Sequence, residues 1–179
     1  MPDMIVRLYD LPPLDHALES IGLEGVVVRR AVSADTSVLL EWIDEHFQPW
    51  RAEVQVCMAA QPPTCFIAWQ ADIMLGFAAF DAACRNYFGP TGVAPQYQGV
   101  GLGRALLLSA LYAQREQGYA YAIIGGVGPA EYYHKAVGAQ LIVGSTPGIY
   151  VEGWERGLRS PVQSDARCTM PNVPEDSSA

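Results

Sequence analysis

Apolar positions change period several times along the chain, and each change marks an element. Met4 to Tyr9 reads as a short strand, stopped by Pro12 and Pro13. Leu14, Leu18 and Ile21 then recur at spacings of four and three, which predicts a short helix ended by Gly22. Gly25 to Ala31 is a valine-rich strand. Ser33 is placed as an N-cap with Asp35 in the first turn. Behind it Val38, Leu39, Trp42, Ile43 and Phe47 fall on one helical face, up to Pro49. A second short helix is expected from Trp50 to Ala59. After the loop at Pro62 and Pro63, three strands follow at near-hairpin spacing: Thr64 to Trp69, Ile73 to Phe80 and Asn86 to Val93. Connections this short predict an antiparallel meander.

In the second half, the segment after Gly101 is apolar on nearly every side from Leu102 to Ala113, so this helix is expected to be buried on more than one side and to end at Gly118. The continuous apolar run from Tyr119 to Gly125 suits a central strand buried on both faces. Pro129 opens a short helix, Ala130 to Val137, closed by Gly138. Gln140 to Val143 and Ile149 to Val151 read as strands around a turn at Ser145 to Gly148. Residues 152–179 are poor in apolar groups and read as a loosely held tail, with Trp154 and Leu158 anchoring its start. The order predicts one mixed α/β domain over residues 1–151, with six to seven mostly antiparallel strands and helices on both faces.

The chain has 179 residues, 50% hydrophobic and 10% aromatic, which is a globular composition with room for a sizeable core. The formal net charge is −8 and Lys135 is the sole lysine, so no basic run offers a footprint for nucleic acid. An acidic surface favours a cationic substrate such as an amine. Cys57, Cys65, Cys84 and Cys168 have neither C-x-x-C nor metal-ligand spacing; the first three read as core thiols, and no metal is expected. No secretory leader and no apolar run near the roughly 18 residues of a membrane span are visible, so a reducing, cytoplasmic setting without membrane contact is expected. A homodimer is left open.

The candidate chemistry lies in Thr91 to Arg104, TGVAPQYQGVGLGR, where strand, turn, glycine-rich loop and helix follow one another. Bare backbone at a helix start is an anion site. A P-loop requires Gly-Lys-Ser/Thr after four intervening residues, and the position five after Gly99 is Arg104. A dinucleotide fingerprint requires a third glycine at Arg104 or Leu106. Both fail. What remains is Gln98-x-x-Gly101-x-Gly103, which resembles the acetyl-CoA motif of the GCN5-related N-acetyltransferase (GNAT) superfamily. The plain alternative is a glycine-rich turn that merely caps a helix.

The resemblance covers residues 26–151 and implies the GNAT fold with acetyl-CoA as co-substrate. It places Thr91, Gly92, Val93, Gln98, Gly99, Val100, Gly101, Leu102, Gly103 and Arg104 around coenzyme A; Arg104 either binds phosphate or is a solvated first-turn residue. The pantetheine arm is expected in a gap between the motif strand and the next one, with an oxyanion donor near Val93. The family tyrosine that protonates the departing thiolate is matched to Tyr133, assuming one extra residue in the turn before Gly138; Tyr132 and His134 are the alternates, and Ala139 replaces the usual aromatic. Trp50 and Glu53 fall where the acceptor site is framed, and either contact an amine or serve as core and surface residues. Glu53 and Asp81 are not separated as bases. Arg7 to Pro12, Phe47-x-x-Trp50-x-x-Glu53 and Phe88 to Val93 also look like a bacterial subgroup of unassigned substrate. Three functions stay open: acetyl transfer to a small-molecule amine by direct attack in a ternary complex, acetylation of a protein or peptide amine, and a non-catalytic acyl-CoA sensor.

Overall fold

The structure, a computed structural model, describes residues 1–149. Seven strands form one sheet: β1 (Met4–Arg7), β2 (Val26–Arg30), β3 (Cys65–Gln70), β4 (Ile73–Phe80), β5 (Tyr87–Val93), β6 (Tyr121–Ile124) and β7 (Gln140–Leu141). Their spatial order is β2-β3-β4-β5-β6-β1-β7. Every neighbouring pair is antiparallel except β5 and β6. The helices are α1 (Leu14–Glu19), α2 (Thr36–His46), α3 (Arg51–Ala59), α4 (Leu102–Glu116) and α5 (Ala130–Val137). The mixed architecture expected from the order of elements is present, with helices on both faces.

Alternation along the strands sorts the core into two layers. Leu75, Ala78 and Phe80 of β4 point to the side of α1, α4 and α5, with Phe88, Ala122 and Ile124. Met74, Phe77 and Ala79 point to the side of α2 and α3. Helix α4 is enclosed: from Leu102 to Gln114 only Gly103, Arg104 and Tyr112 escape full burial. The sheet covers one side of it. The segment from Leu8 to Leu23 covers another, pinned by the Tyr112 hydroxyl donating to Pro12 O at 3.1 Å and by Gly22 N donating to Val100 O at 2.8 Å.

Several expectations are corrected. Strand β1 stops at Arg7, and Leu8–Asp10 form a 3₁₀ turn. This strand lies outside the stretch that carries the family resemblance, yet it sits inside the sheet, between β6 and β7. On α2 the buried stripe is Leu39, Leu40 and Ile43, while Val38 is exposed. Strand β6 is not buried on both faces: α4 covers Ala122 and Ile124, but Tyr121 is exposed and Ile123 half-buried, because α2 and α3 pack over β2 to β4. Strand β7 has two residues, and Val143 beyond it is fully exposed. Cys57 and Cys65 are core thiols, with burial pushing Cys57 up to about 11, whereas Cys84 is exposed in the β4–β5 connection. The expected strand at Ile149 to Val151 lies mostly, and Trp154, Leu158, Cys168 and the tail lie wholly, outside the described residues.

Ser33 is not the cap of α2. It opens a 3₁₀ turn, Ser33–Asp35, ahead of α2; the side chain of Asp35, at the α2 start, makes no cap to that helix and instead closes the turn back onto Val32. The Asp35 carboxylate accepts Val32 N at 2.7 Å and both arms of the Arg29 guanidinium at 2.7 and 2.8 Å. These bonds, the one from Arg29 first, hold its pKa below the ordinary carboxylate range. A depressed folded-state pKa stabilises the fold above the unfolded pKa, and that contribution disappears as pH falls through the folded value. Asp35→Asn should therefore lower stability by about 1–2 kcal/mol at neutral pH. In urea denaturation series the gap between variant and parent should shrink below about pH 4; a gap independent of pH would remove the charge from this account.

Candidate active site

Strands β5 and β6 pair only at Tyr87–Ile123 and Phe88–Ile124 and then part. From Gly89 to Val93 no strand among the described residues lies beside the open side of β5. Which backbone groups face that gap follows from the ladder on the other side. Ala94 N donates to Leu75 O at 2.9 Å, so Ala94 and Leu75 form a hydrogen-bonded pair. In an antiparallel ladder such pairs alternate with pairs whose N–H and C=O point outward. Val93, opposite Gly76, and Thr91, opposite Ala78, are of the outward kind. Both amides and the Thr91 carbonyl therefore look into the gap, the outward Val93 carbonyl being taken by the Gln98 side chain, and the Val93 N–H faces the gap where the sequence placed an oxyanion donor.

The glycine-rich loop lies at one end of this gap. A cavity of about 510 Å³ is lined there by Thr91, Gly92, Val93, Gln98, Gly99, Gly101, Gly103, Arg104, Tyr132 and Tyr133, with Leu107 and Pro129. Eight of the ten residues expected around coenzyme A are thus brought together with both tyrosines. The two exceptions are Val100 and Leu102. Leu102 is buried in the core and Val100 packs against it, so their side chains stabilise the loop from behind.

Each lining residue has its own reason for being there. The Gln98 side-chain amide donates to Val93 O at 3.0 Å, tying the loop to the strand end. Arg104 N and Ala105 N both donate to Gly101 O, which closes the first turn of α4 and leaves the preceding amides directed outward. Gly101 has φ of 89°, and a Cβ there would stand 3.1 Å from Ser20 O, on the protein side of the loop. Gly103 is different: its Cβ would point toward the Tyr132 hydroxyl at 3.4 Å and Val93 Cγ2 at 3.8 Å, on the cavity side. The Arg104 Nε is buried without a hydrogen-bond partner. A buried, unpaired guanidinium nitrogen beside outward helix amides suits a phosphate.

At its other end the gap opens into a cavity of about 810 Å³, bounded by the backbone of β5 from Gly89 to Thr91, by the loop Gly125–Pro129, and by Trp50, Glu53, Tyr87 and Tyr133. Trp50 and Glu53 are one turn apart at the start of α3, on the same side of the helix. The Trp50 ring stacks on Phe47 at 5.1 Å, and Phe47 lies over the bare backbone of Gly92, where a Cβ would meet the ring at 2.7 Å. Gly92 is thus a glycine because of Phe47.

Tyr133 lines both cavities. Its ring is wedged between Phe88 and Tyr132, at 6.4 and 5.0 Å, and burial raises its pKa. Tyr132 lines only the loop cavity; burial first, then Tyr133, pushes it up to about 12 against the pull of Arg104. His134 turns away, its Nδ1 on Ala139 O at 3.1 Å. Asp81 lines neither cavity. It accepts Asn86 N at 2.7 Å within the β4–β5 connection, and burial raises its pKa. Geometry therefore separates the two candidate bases that the sequence left equal.

One residue escaped the sequence reading. Asp3 is buried, and its carboxylate accepts Gly126 N at 2.9 Å. Its own amide donates to Ser145 Oγ at 2.8 Å, and its carbonyl accepts Ile142 N. Beside it Pro2 O accepts Val127 N. The chain's first residues thus hold the Gly125–Pro129 wall of the larger cavity. A lone acid just ahead of an apolar strand was the available signal.

No protein-family model matches the chain, and no curated protein matches it. Solved structures do. One is the GCN5-related glucosamine N-acetyltransferase region of a fungal multi-domain GH3 β-N-acetylglucosaminidase, with a TM-score of 0.65 and 15% identity over 79% of this chain and 19% of that one. A GCN5-related N-acetyltransferase from Sphaerobacter thermophilus has a TM-score of 0.60 and 19% identity over 79% and 48%. Another from Kribbella flavida has a TM-score of 0.51 and 16% identity over 78% and 53%. The chain spans about half the length of the latter two and a fifth of the first.

The two motif glycines should fail differently. Gly101→Ala should lower the melting temperature, through strain at positive φ and contact with Ser20, by the equivalent of about 1–2 kcal/mol. Gly103→Val should keep the fold and lose acetyl-CoA affinity, read by calorimetric titration of the folded variant. Equal affinity in Gly103→Val would mean that the space beside Tyr132 holds no ligand.

Proposed function

On the GCN5-related N-acetyltransferase fold, which this chain has, we propose that it moves an acetyl group from acetyl-CoA to the amine of a small molecule by direct attack in a ternary complex. The observation that carries this reading is the split between β5 and β6. One end of the split is an anion cradle and the other an aromatic cavity with a carboxylate, and Tyr133 borders both.

The residues fit coenzyme A. The loop from Gly99 to Gly103 and Arg104 hold its diphosphate, with the orphaned Arg104 Nε as a donor. The outward N–H and C=O of Thr91 hold the amide-bearing arm in extended register. Bound there, acetyl-CoA supplies an activated acyl group as a thioester. The Val93 N–H faces the acyl oxygen and stabilises the negative charge that develops on it during attack. The new bond joins the amine nitrogen to the acyl carbon, the carbon–sulfur bond breaks, and its electron pair leaves with sulfur. Tyr133 donates its phenolic proton to that sulfur and is reprotonated from solvent. A pKa raised by burial keeps Tyr133 in its acid form throughout the neutral range. The incoming ammonium enters the larger cavity on the side of Glu53; its nitrogen loses one proton to water before attack, which frees the lone pair, and a second to water as the amide forms.

The test is release of free thiol from acetyl-CoA over a panel of amines, together with calorimetric binding of acetyl-CoA. Amine-dependent thiol release is expected. Tyr133→Phe should lower kcat by roughly 10²–10⁴ while acetyl-CoA affinity stays in place. Full turnover in Tyr133→Phe would remove this residue from the acid role, and binding without any amine-dependent release would make the protein an acyl-CoA sensor.

A further inference from the structure

Resting on the acid role of Tyr133 given above, we infer that Asp3 is a positioning residue of the active site: its buried carboxylate fixes the Gly125–Pro129 loop, and through it the start of α5 and the place of the Tyr133 side chain. This loop is the passage from β6 to α5. It borders the larger cavity from Gly125 to Pro129, and Pro129 borders the smaller cavity as well. Tyr133 sits one turn into the helix that begins directly after it. A displacement of the loop therefore reaches the phenol that the two cavities share.

The loop has little stiffness of its own. Gly125, Gly126 and Gly128 carry no side chain to pack, and Gly126 holds a φ of 57°. Order has to come from outside, and the segment just ahead of β1 supplies it. Val127 N donates to Pro2 O at 2.9 Å, and Gly126 N donates to the Asp3 carboxylate at 2.9 Å. Asp3 is itself held from the opposite side. Its amide donates to Ser145 Oγ at 2.8 Å, and its carbonyl accepts Ile142 N at 2.9 Å. The Gly148 backbone closes over the carboxylate, where a Cβ would stand 3.1 Å from Oδ1. Pro147, next to Gly148, is a further wall of the larger cavity. One carboxylate thus joins two walls of that cavity, which come from separate segments of the chain. A carboxylate removed from water is costly unless donors hold it. Once held, its bond to a backbone N–H is about twice as strong as a neutral one. Such a bond suits a wall that must keep its place while two substrates are aligned.

Amine-dependent thiol release, calorimetric binding of acetyl-CoA and amide hydrogen exchange are read in parallel. Asp3→Ala should speed exchange at Gly126 N by about tenfold or more. It should lower kcat by roughly ten- to a hundredfold while acetyl-CoA affinity is kept. Asp3→Asn leaves an acceptor for Gly126 N and should lose less on both readouts. In the Tyr133→Phe background Asp3→Ala should cost little further, because both changes act on one proton donor. If Asp3→Ala does not fold, Ser145→Ala, which removes the acceptor of the Asp3 amide, should show the same pattern at smaller size. Parental exchange at Gly126 in the folded variant, an Asn variant no better than Ala, or losses that add in the double variant each overturn this inference and leave the acetyltransferase reading standing. Full turnover in Tyr133→Phe, or no amine-dependent release by the parent, overturns the reading above and this inference with it.

Discussion

A β-sheet that divides in its middle leaves backbone donors and acceptors facing nothing, and a folded protein rarely tolerates that away from water. Here the division begins after Phe88 and Ile124, where β5 and β6 part. Thr91 turns its N–H and C=O into the opening and Val93 its N–H, while the Val93 C=O accepts the Gln98 side-chain amide. What holds the strands apart is built into both banks. On the far bank, β6 is drawn toward β1 by four paired residues, and Asp3 ties the following loop to the turn beyond β7. On the near bank, β5 continues its ladder with β4 to Val93, and Ala94 extends it. The groups left over in the middle match an extended ligand that carries amides of its own.

The glycines around this opening answer three separate physical demands. Gly101 supplies a positive φ at the start of α4 and a close approach to Ser20, so it serves the fold. Gly92 makes room for the ring of Phe47, so it serves the packing that orients Trp50. Gly103 keeps the space beside Tyr132 clear, so it serves the cavity. A sequence motif records all three as the same letter. The chemistry assigned to each depends on where its missing Cβ would have pointed, and only the fold determines that.

What could be read from the sequence follows the range of the interactions. The loop at 98–103, the meander from β3 to β5 and the enclosed helix α4 are set by neighbours within a few residues, and periodicity and glycine spacing reported them. The place of β1 between β6 and β7 depends on contacts more than a hundred positions apart, and nothing local in Met4–Arg7 encodes it. The same holds for Asp3, whose burial exists only because Gly126 and Ser145 arrive beside it. Val38 and Leu40 are equally apolar, so the pattern along α2 could not tell which of them the sheet would cover. The tyrosine offset is of this kind too. Spacing to Gly138 left Tyr132, Tyr133 and His134 in contention, and the direction of each side chain on α5 separates them: one over the loop, one between the cavities, one back on Ala139 O.

The two ends of the opening are also mechanically one. Strand β5 turns backbone groups of Thr91 and Val93 toward the opening, and between them Gly92 carries Phe47, which carries Trp50. A shift of β5 by even a few tenths of an ångström would press the Gly92 backbone against the Phe47 ring, because protein interiors have no slack to absorb it. The aromatic wall then moves with the strand proposed to hold the thioester arm. In the proposed reaction this coupling would set acceptor and acyl group relative to one another through a single rigid element, as a direct attack between two bound molecules requires. Phe47, Trp50 and Gly92 thus form one packed unit although the first two lie on a different segment of the chain from the third.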